Sequence, residues 1–504
     1  MTQELDPRSK GFIPDGDGDG GQRVNRGHRS WTPIGHLGAS ELGTVDPAGL
    51  VTPAGASWSI DWWIGADDRW HVPAREPSLR QSLLDEMPVV ETRIRVPGGD
   101  AVQRVYGLPG PSERTVLEIE NDSSVPFALA LAIRPYGVEG VGEIAHVVVD
   151  GDSISIDGAT VLLPTAPAHA AAASFEDGDV AEVVMAGDAP PGSAAAAWCR
   201  YGLASAAVVF PLPHRATLRI EIPRSPDAHP LARPLSSAAD AGRGWRALGE
   251  RGLRVAIPDE RLEGAFAASR RHLLLRHAAL APSEIATVAV ASALRAVGYD
   301  HEASTLEALA AGHTPHACSD VPALLDDETL VLSVRGIEPG LTLDRARAEL
   351  GRGDVKAWDR LDAVLGLASP TWAWPDAIHP QLRSGCGGDG ASATVSAKLV
   401  LVVCRLLVCQ ADDGGLELLP VLPPGWHGSP IEVHDAPLDR GVLSYAVRWH
   451  GTRPALLWDL RGAPPKTAIR CPGLDDGFVT LDAKGEALLG PLSLMVRDLR
   501  PSVG

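Results

Sequence analysis

The chain has 504 residues, of which 45% are hydrophobic and 22% are charged, and its formal net charge is -19. A chain of this length exceeds the size at which a single hydrophobic core stops growing, so two or three domains are expected. The acidic charge argues against a nucleic-acid partner and against an anionic membrane surface, because both attract basic residues. A neutral polyol, such as an oligosaccharide, is compatible with this charge.

The N-terminal segment contains no apolar run of the kind that a secretory signal carries, and the most apolar stretch, residues 399–409, is too short to span a bilayer. The six cysteines are spread along the chain without the spacing of a zinc site. Buried free thiols are therefore favoured over a disulfide framework. We expect a cytoplasmic protein that has no metal site and no cofactor.

Residues 1–30 are rich in glycine and aspartate and are expected to form a flexible tail. Within them, Asp15, Asp17 and Asp19 have the spacing of the first calcium ligands in an EF-hand loop. The twelfth position of such a loop needs a bidentate glutamate, and here it is Arg26. The sequence therefore favours an acidic tail over a calcium site.

Residues 31–250 show the pattern of a domain built from β-strands. Short runs rich in Val, Ile and Leu are separated by Gly, Asp and Pro, and they lie at 89–96, 115–119, 128–133, 145–149 and 216–222. In the first of these runs, Glu91, Arg93 and Arg95 alternate with less polar residues, which is the period of a half-buried strand. Many such strands predict an antiparallel β-sandwich.

The densest aromatic stretch of the chain lies within this region, at residues 58–71. Tryptophan rings stack well on the apolar faces of sugar rings, and a neighbouring carboxylate or guanidinium can bond sugar hydroxyls. One interpretation therefore makes Trp62, Trp63, Asp68 and Arg69 substrate-binding residues. The alternative is that the tryptophans fill the core of the sandwich and that residues 67–69 form a solvated turn.

The character of the sequence changes near residue 258, where Asp259 and Glu260 precede apolar residues at helical spacing. Further helices are predicted at 284–297, 303–311, 343–350, 357–367 and 391–410, and short strands return at 416–422, 431–433, 443–449 and 455–460. The fold class is therefore α+β and multidomain. We expect an N-terminal antiparallel β-sandwich at 31–250, a central helical domain at 251–412 and a small C-terminal β-sandwich at 413–504, after the tail at 1–30.

A second group of aromatic and acidic residues lies at the end of the helical region. It comprises Trp372, Trp374, Asp376, His379 and Asp389, the last of these in a glycine-rich loop. A carboxylate can activate water and a pair of tryptophans can hold a sugar ring, so these residues suit a sugar site. The alternative is structural, with two prolines shaping a rigid loop and Asp389 capping the helix that follows.

Taken together, three segments resemble bacterial six-hairpin glycosidases, the group that contains glucoamylase-like, debranching-like and rhamnosidase-like enzymes. They are the helix at 258–275, the Trp-Pro-Asp and Gly-Cys-Gly-Gly-Asp block at 374–390, and the Leu-Leu-Pro to Pro-Pro-Gly-Trp segment at 418–426 that leads to residues 448–451. The resemblance implies an N-terminal β-sandwich, a central (α/α)6 barrel and a C-terminal β domain. It also implies glycoside hydrolysis by two carboxylates, one acting as acid and the other as base or nucleophile.

The chain departs from this family in its helical region. Residues 258–410 suffice for about six or seven helices, whereas a complete barrel needs twelve, so a reduced α/α toroid is expected. The family's aromatic-Arg-Asp-Ala segment after the first barrel helix is replaced by Pro-Ser-Glu-Ile-Ala at 282–286. By position Asp376 is the candidate general base, and Asp326, Asp327 and Glu328 are the candidates for the acid.

These features leave three functional hypotheses. The favoured one is an atypical or degenerate relative that binds a glycan or oligosaccharide in a cleft lined by tryptophans and carboxylates, because the barrel is short and the Arg-Asp pair is absent. The first alternative is an active, inverting glycoside hydrolase with Asp376 as its base, because the block at 374–390 is retained. The second is a non-catalytic structural or oligomerisation protein. A reduced toroid leaves an apolar helix face, which we expect to pack on the β domains or on a second copy in a homo-oligomer.

Overall fold

The computed structural model describes residues 31–110, 113–137, 140–225, 235–279, 284–311, 339–350, 356–374, 393–411 and 413–490. It has the mixed α+β composition that the sequence predicts, with antiparallel sheets and several helices. Some of the residues singled out above lie outside the described residues, namely the calcium-like motif at 15–26, the acid candidates at 326–328 including Glu328, and Asp376, His379 and Asp389.

Strands β1 to β19 occupy the N-terminal part of the chain. In chain order they are β1 (Thr32–Ile34), β2 (Gly43–Val45), β3 (Val51–Thr52), β4 (Ser59–Gly65), β5 (Trp70–His71), β6 (Arg80–Leu83), β7 (Val90–Val96), β8 (Gly99–Leu108), β9 (Arg114–Ser123), β10 (Phe127–Arg134), β11 (Tyr136–Gly137), β12 (Gly140–Val141), β13 (His146–Asp150), β14 (Ser153–Ile156), β15 (Ala159–Leu162), β16 (His169–Ala173), β17 (Ala194–Trp198), β18 (Ser205–Leu212) and β19 (Thr217–Pro223). Within the described ranges, one sheet has the order β1-β2-β3-β4-β10-β18-β16, with β5 paired to β4. A nine-stranded sheet has the order β17-β13-β14-β15-β19-β9-β8-β7-β6.

The two large sheets enclose a hydrophobic core. In β7 of the nine-stranded sheet, the buried Val90 and Ile94 alternate with the outward-facing Glu91 and Arg93, and Leu131 of β10 packs into the same core from the opposite sheet. This alternation confirms the half-buried strand predicted at 89–96, because the outer face of the sheet carries the charges and the inner face carries the apolar side chains.

Among the described residues of 31–250, two α-helices interrupt or follow these strands, and the sequence pattern predicts neither. Helix α1 (Val180–Ala186) packs on the outer face of the eight-stranded sheet, and helix α2 (Ala238–Gly249) packs on the outer face of the nine-stranded sheet. A reciprocal capping box between Ser237 and Asp240 begins α2. Three glycines lower the helix propensity of α2, so contacts with the sheet must contribute to its stability.

The helical region comprises α3 (Glu260–Arg276), α4 (Glu284–Ala296), α5 (Asp300–Ala311), α6 (Pro339–Leu350), α7 (Lys356–Leu365) and α8 (Ala393–Leu407). Helix α3 begins where the sequence predicts it, and the carboxylate of Asp259 accepts the backbone N–H of Leu262 at 2.9 Å. Helix α8 packs against α3, α4 and α6. It is therefore the centre of the described helices.

The C-terminal strands form two further sheets, which also include two short strands from the helical region, β20 and β21. The strands are β20 (Arg254–Ala256), β21 (Val408–Gln410), β22 (Leu416–Leu418), β23 (Ile431–Pro437), β24 (Val442–His450), β25 (Arg453–Arg461), β26 (Ile469–Cys471), β27 (Asp475–Thr480) and β28 (Lys484–Leu488). In the part of the chain that is described, the sheets have the orders β20-β23-β24-β25-β28 and β21-β22-β26-β27. The helix predicted at 391–410 ends at Leu407, because residues 408–410 pair with β22 instead.

The apolar side chains of the helices and of the C-terminal strands belong to one hydrophobic core. Leu399 and Val403 of α8 share it with Ile431 of β23 and Leu443 of β24. The C-terminal strands thus cover part of the apolar helix surface. None of the helices in the described ranges has the length and apolar composition that a membrane span requires.

Among the cysteines in the described residues, Cys199, Cys404 and Cys471 are free thiols. Burial raises the pKa of the Cys404 and Cys471 thiols to about 12. These two thiols are therefore protonated at neutral pH and are poor nucleophiles and poor metal ligands.

Candidate functional site

The neighbouring rings of Trp62 and Trp63 lie on opposite faces of β4, and both are buried. Trp62 points into the sandwich core, where its Nε1 donates to the Ala48 carbonyl at 3.3 Å. Trp63 lies between the eight-stranded sheet and Val180 of α1. Because side chains alternate along a strand and both faces are covered here, neither ring has a face open to a ligand. The placement corrects the prediction that these rings stack on a sugar and agrees with the alternative of core packing.

Asp68 and Arg69 lie in the turn between β4 and β5, and their polar groups bond to residues that closely follow the turn. Arg69 binds both oxygens of the buried Glu76 carboxylate, and this lowers the pKa of Glu76. Asp68 Oδ1 lies 3.0 Å from Nε2 of His71, which lowers the pKa of Asp68. The turn is therefore a self-contained polar network. It does not assemble Trp62, Trp63, Asp68 and Arg69 into one cleft.

Thr371 ties the loop after α7 to both the sandwich and helix α3. Its hydroxyl lies 2.6 Å from Oγ1 of Thr32 in β1 and 2.8 Å from Oγ of Ser369. Its carbonyl lies 3.1 Å from Nε2 of His272 in α3. Thr32, Thr371 and His272 are all buried, so this loop is held by polar contacts between elements far apart in the sequence.

Trp372 adopts a left-handed backbone conformation, with a φ of 56°. Such a φ is uncommon for a bulky residue, costs about 1–3 kcal/mol and persists only where the surroundings enforce it. The half-buried ring packs against both the sandwich core and the helical core and lies beside Gly264 of α3. These contacts place Trp372 on the boundary between the β-sandwich and the helices.

Trp374 is fully buried in the helical core, and its Nε1 donates to the carbonyl of Val364 in α7 at 3.1 Å. This corrects the prediction that the Trp374 ring binds a sugar, because no face of the ring reaches solvent. Trp374 instead anchors the end of the loop. The remaining members of the predicted group, Asp376, His379 and Asp389, follow it in the sequence and lie outside the described residues.

Helix α3 contributes polar residues that sequence reasoning did not single out. Ser269 and His272 are buried, and their spacing of three residues puts them on one face of α3. The Ser269 hydroxyl has no hydrogen-bond partner among the described residues. Their helical spacing among apolar residues of α3 is a signal that could have identified them. We use "the junction" for Thr32, His272, Thr371 and Trp372.

Of the groups at the junction, the Trp372 indole is partly exposed, whereas the threonine hydroxyls and the imidazole of His272 are buried. Indole, hydroxyl and imidazole groups are of the kinds that bind neutral polar ligands. It contains no carboxylate, so the catalytic pair of a glycosidase would have to come from residues outside the described ranges, such as Asp376 and Glu328. Across the described ranges, no three His, Cys, Asp or Glu side chains gather where they could hold a metal ion.

Comparison with known proteins identifies no family for this chain. No family model matches it, and no curated protein matches it. Among solved structures, the chain is similar to one named "Putative kojibiose phosphorylase from human microbiome". The alignment covers 91% of each chain at 7% identity, with a TM-score of 0.33. A likeness at this level supports no conclusion about a shared architecture or activity.

Proposed function

We propose that this chain is a carbohydrate-active protein that binds a glycan or oligosaccharide at the junction, as an atypical relative of the six-hairpin glycosidases. The observation that carries the proposal is the left-handed conformation of Trp372 between the sandwich and the helices. Backbone strain of this kind concentrates at ligand-binding sites, where the surrounding structure enforces it. The hydrogen bonds of Thr371 to Thr32 and toward His272 supply that enforcement.

The chemistry of the junction suits a neutral, hydroxyl-rich ligand. Indole faces stack on the C–H faces of sugar rings, and threonine hydroxyls both donate and accept hydrogen bonds. The net charge of -19 disfavours anionic ligands, nucleic acids among them.

The alternative is an active, inverting glycoside hydrolase. The Trp-Pro-Asp and Gly-Cys-Gly-Gly-Asp block at 374–390, which the sequence shares with the six-hairpin glycosidases, supports this alternative. In such a reaction Asp376 would activate a water molecule, and an acid such as Glu328 would protonate the leaving oxygen. His379 and Asp389 would then bond sugar hydroxyls. The proposed organisation keeps domains at 31–250, 251–412 and 413–504, in a cytoplasmic protein.

A ligand screen with three variants tests these proposals. The purified protein is incubated with aryl-glycosides and with α- and β-linked neutral oligosaccharides, and both product release and the shift in Tm are recorded. Trp372→Ala removes the ring at the junction, and Asp376→Asn removes the candidate base. Trp70→Ala, which truncates a partly exposed tryptophan on the far side of the eight-stranded sheet, is the matched control.

Stabilisation by a sugar that is lost in Trp372→Ala and kept in Trp70→Ala supports glycan binding at the junction. Product release that is lost in Asp376→Asn establishes the hydrolase instead. If no sugar stabilises the protein and none is cleaved, both proposals are wrong and the third hypothesis, a structural or oligomerisation protein, stands in their place.

A further inference from the structure

Trp198 stands apart from every other tryptophan in the chain because its ring is exposed. All 13 tryptophans lie in the described residues, and the other twelve are buried or half-buried. The side chain of Trp198 is 59% exposed, the largest fraction among the large apolar side chains described. It lies at the end of β17, which is an edge strand of the nine-stranded sheet. Leaving an indole in water forgoes a large burial energy, so this exposure calls for a partner.

The surroundings of Trp198 form a flat, open surface. Ala194 and Ala196 face outward from the same strand, and their short side chains leave space beside the indole. On the neighbouring strand β13, His146 stands opposite Trp198 and Val148 stands opposite Ala196. The rings of His146 and Trp198 are in contact, with centroids 6.3 Å apart. On β14, the exposed Ser155 continues the row beyond Val148.

We use "the Trp198 face" for Trp198, Ala194, Ala196, His146, Val148 and Ser155. It combines one stacking ring with small apolar groups, an imidazole and a hydroxyl on a plane of paired strands. A sugar ring can stack on the indole, and its neighbours along a chain can then lie across the alanines and Val148. His146 and Ser155 lie where hydrogen bonds to hydroxyls can form.

The apolar area of the Trp198 face decides between a glycan and a second copy of this chain. An aromatic side chain buries about 150–250 Å² in full, so the exposed part of Trp198 amounts to roughly 150 Å². With Val148, which is 43% exposed, and the alanines, the total is on the order of 300 Å². A stable protein interface buries about 800 Å² on each partner, of which roughly 450 Å² is apolar. The face is thus too small for a stable dimer and large enough for a few sugar rings.

The charges near the Trp198 face select a neutral glycan. The side chain of His146 lies 3.6 Å from the carboxylate of Asp157, so the imidazole has a negative neighbour within the protein. The face itself carries no lysine or arginine that would attract an acidic polysaccharide. The net charge of -19 also repels such a polymer at long range.

The Trp198 face is remote from the junction. The junction lies at β1, whose neighbouring Gly35 packs against Gly107 of β8. In the nine-stranded sheet, β8 is six strands away from β17. At about 4.8 Å per strand this separation is roughly 29 Å.

We propose that the Trp198 face is a second glycan-binding surface, which holds a neutral polysaccharide chain independently of the junction. The ligand class rests on the proposed function, whereas the location and the residues do not. The face adds affinity for a long polymer, because a chain held at one site has a raised effective concentration at the other.

Affinity electrophoresis tests this proposal on the full chain. Native gels contain amylopectin, mixed-linkage β-glucan or galactomannan, and the retardation at increasing polymer concentration yields Kd. Trp198→Ala should weaken the affinity for the bound polymer at least about tenfold, because the stacking area is lost. Trp198→Phe retains an aromatic ring, so its affinity should lie between those of the parent and of Trp198→Ala. Phe175 has another exposed aromatic ring, 53% exposed, which lies outside the Trp198 face. The control variant Phe175→Ala should therefore migrate like the parent.

Trp372→Ala separates this proposal from the proposed function. Retardation that persists in Trp372→Ala and is lost in Trp198→Ala assigns polymer binding to the Trp198 face, whatever happens at the junction. Retardation lost in Trp372→Ala and kept in Trp198→Ala overturns the second surface and leaves the junction in place. Absence of retardation by all three polymers also overturns it. A parent dimer that Trp198→Ala dissociates in sedimentation velocity overturns it in favour of a second copy.

Discussion

Replacing Glu118 by glutamine should loosen helix α2 from the nine-stranded sheet. The buried carboxylate accepts hydrogen bonds from Arg219 Nε at 2.7 Å, from the backbone N–H of Ala238 at 3.2 Å and from Arg104 Nη1 at 3.3 Å. Because Ala238 is the first residue of α2, the carboxylate also lies at the positive end of the helix dipole. Glutamine keeps the shape of the side chain and removes the charge.

The size of the expected loss in stability depends on which carboxylates remain for Arg104 and Arg219 in the variant. Arg104 keeps Glu91 at 2.7 Å and Glu120 at 2.6 Å, so its charge stays compensated. Arg219 forms an ion pair with no other carboxylate of the described residues, and its side chain is 35% exposed, so water compensates it in part. Breaking a buried ion pair costs about 3–5 kcal/mol, and we therefore expect a loss of about 2–3 kcal/mol.

Hydrogen exchange of peptides that cover residues 238–249, followed by mass spectrometry, measures this local loss. It suits the chain better than global unfolding, since several sheets need not unfold in one step. A loss of about 2–3 kcal/mol accelerates the exchange of α2 about 30- to 150-fold. Glu120→Gln is the matched control, because Glu120 is partly exposed and Arg104 keeps two carboxylates, so its effect should stay below about 1 kcal/mol. Equal exchange of α2 in the two variants would refute the reasoning.

Three further predictions concern other buried groups. Burial raises the pKa of Asp61 to about 6 from its ordinary value of 3.8, so its effect on stability is most favourable below pH 3.8 and is lost as pH rises through 6. Asp61→Asn should therefore gain up to about 3 kcal/mol on the parent above pH 6 and nothing below pH 3.8, which Tm measured across pH 3–8 will reveal. Gly107→Ala should destabilise the chain by about 1–3 kcal/mol in urea unfolding, because an added methyl group would overlap the backbone of Gly35. Gly244→Ala, with open space at that position in α2, should be neutral or stabilise by up to about 1 kcal/mol. Thr371→Val should cost about 1–3 kcal/mol in the same assay, since it leaves the buried Thr32 hydroxyl without its partner, and an unchanged midpoint would contradict the polar role of the loop.

Local patterns predicted many of the elements but not all of their ends. The alternation in β7 and the aspartate cap of α3 are both readable in the sequence, because they depend on neighbours within a few residues. The strand at 408–410 cannot be predicted from the sequence, because it forms only when β22 is available as a partner. The apolar composition of these residues suits a helix equally well. Helix α2 was missed for a related reason, because its glycines weaken the local signal while Glu118 stabilises it from the sheet.

For the candidate site residues too, the sequence indicated the residue type, whereas tertiary contacts decided the position of the side chain. Trp372 was selected from the sequence, but its left-handed backbone and its place between two cores depend on contacts with Thr371 and helix α3. Trp62 and Trp63 were selected because tryptophans cluster there, yet a cluster in sequence becomes two opposite faces in a strand. Trp198, in a run of alanines, gave no chemical signal at all.

By itself, the sequence determined the α+β composition, the positions of many strands and helices, and the acidic character of the chain. These properties depend on residue type and on spacing within one element, which neighbouring residues settle. Only the tertiary structure decided which indoles are buried and which one is exposed. The reason is physical: alternation divides a strand into two faces, but whether Trp63 is covered by a helix while Trp198 is open to water depends on elements distant in the sequence.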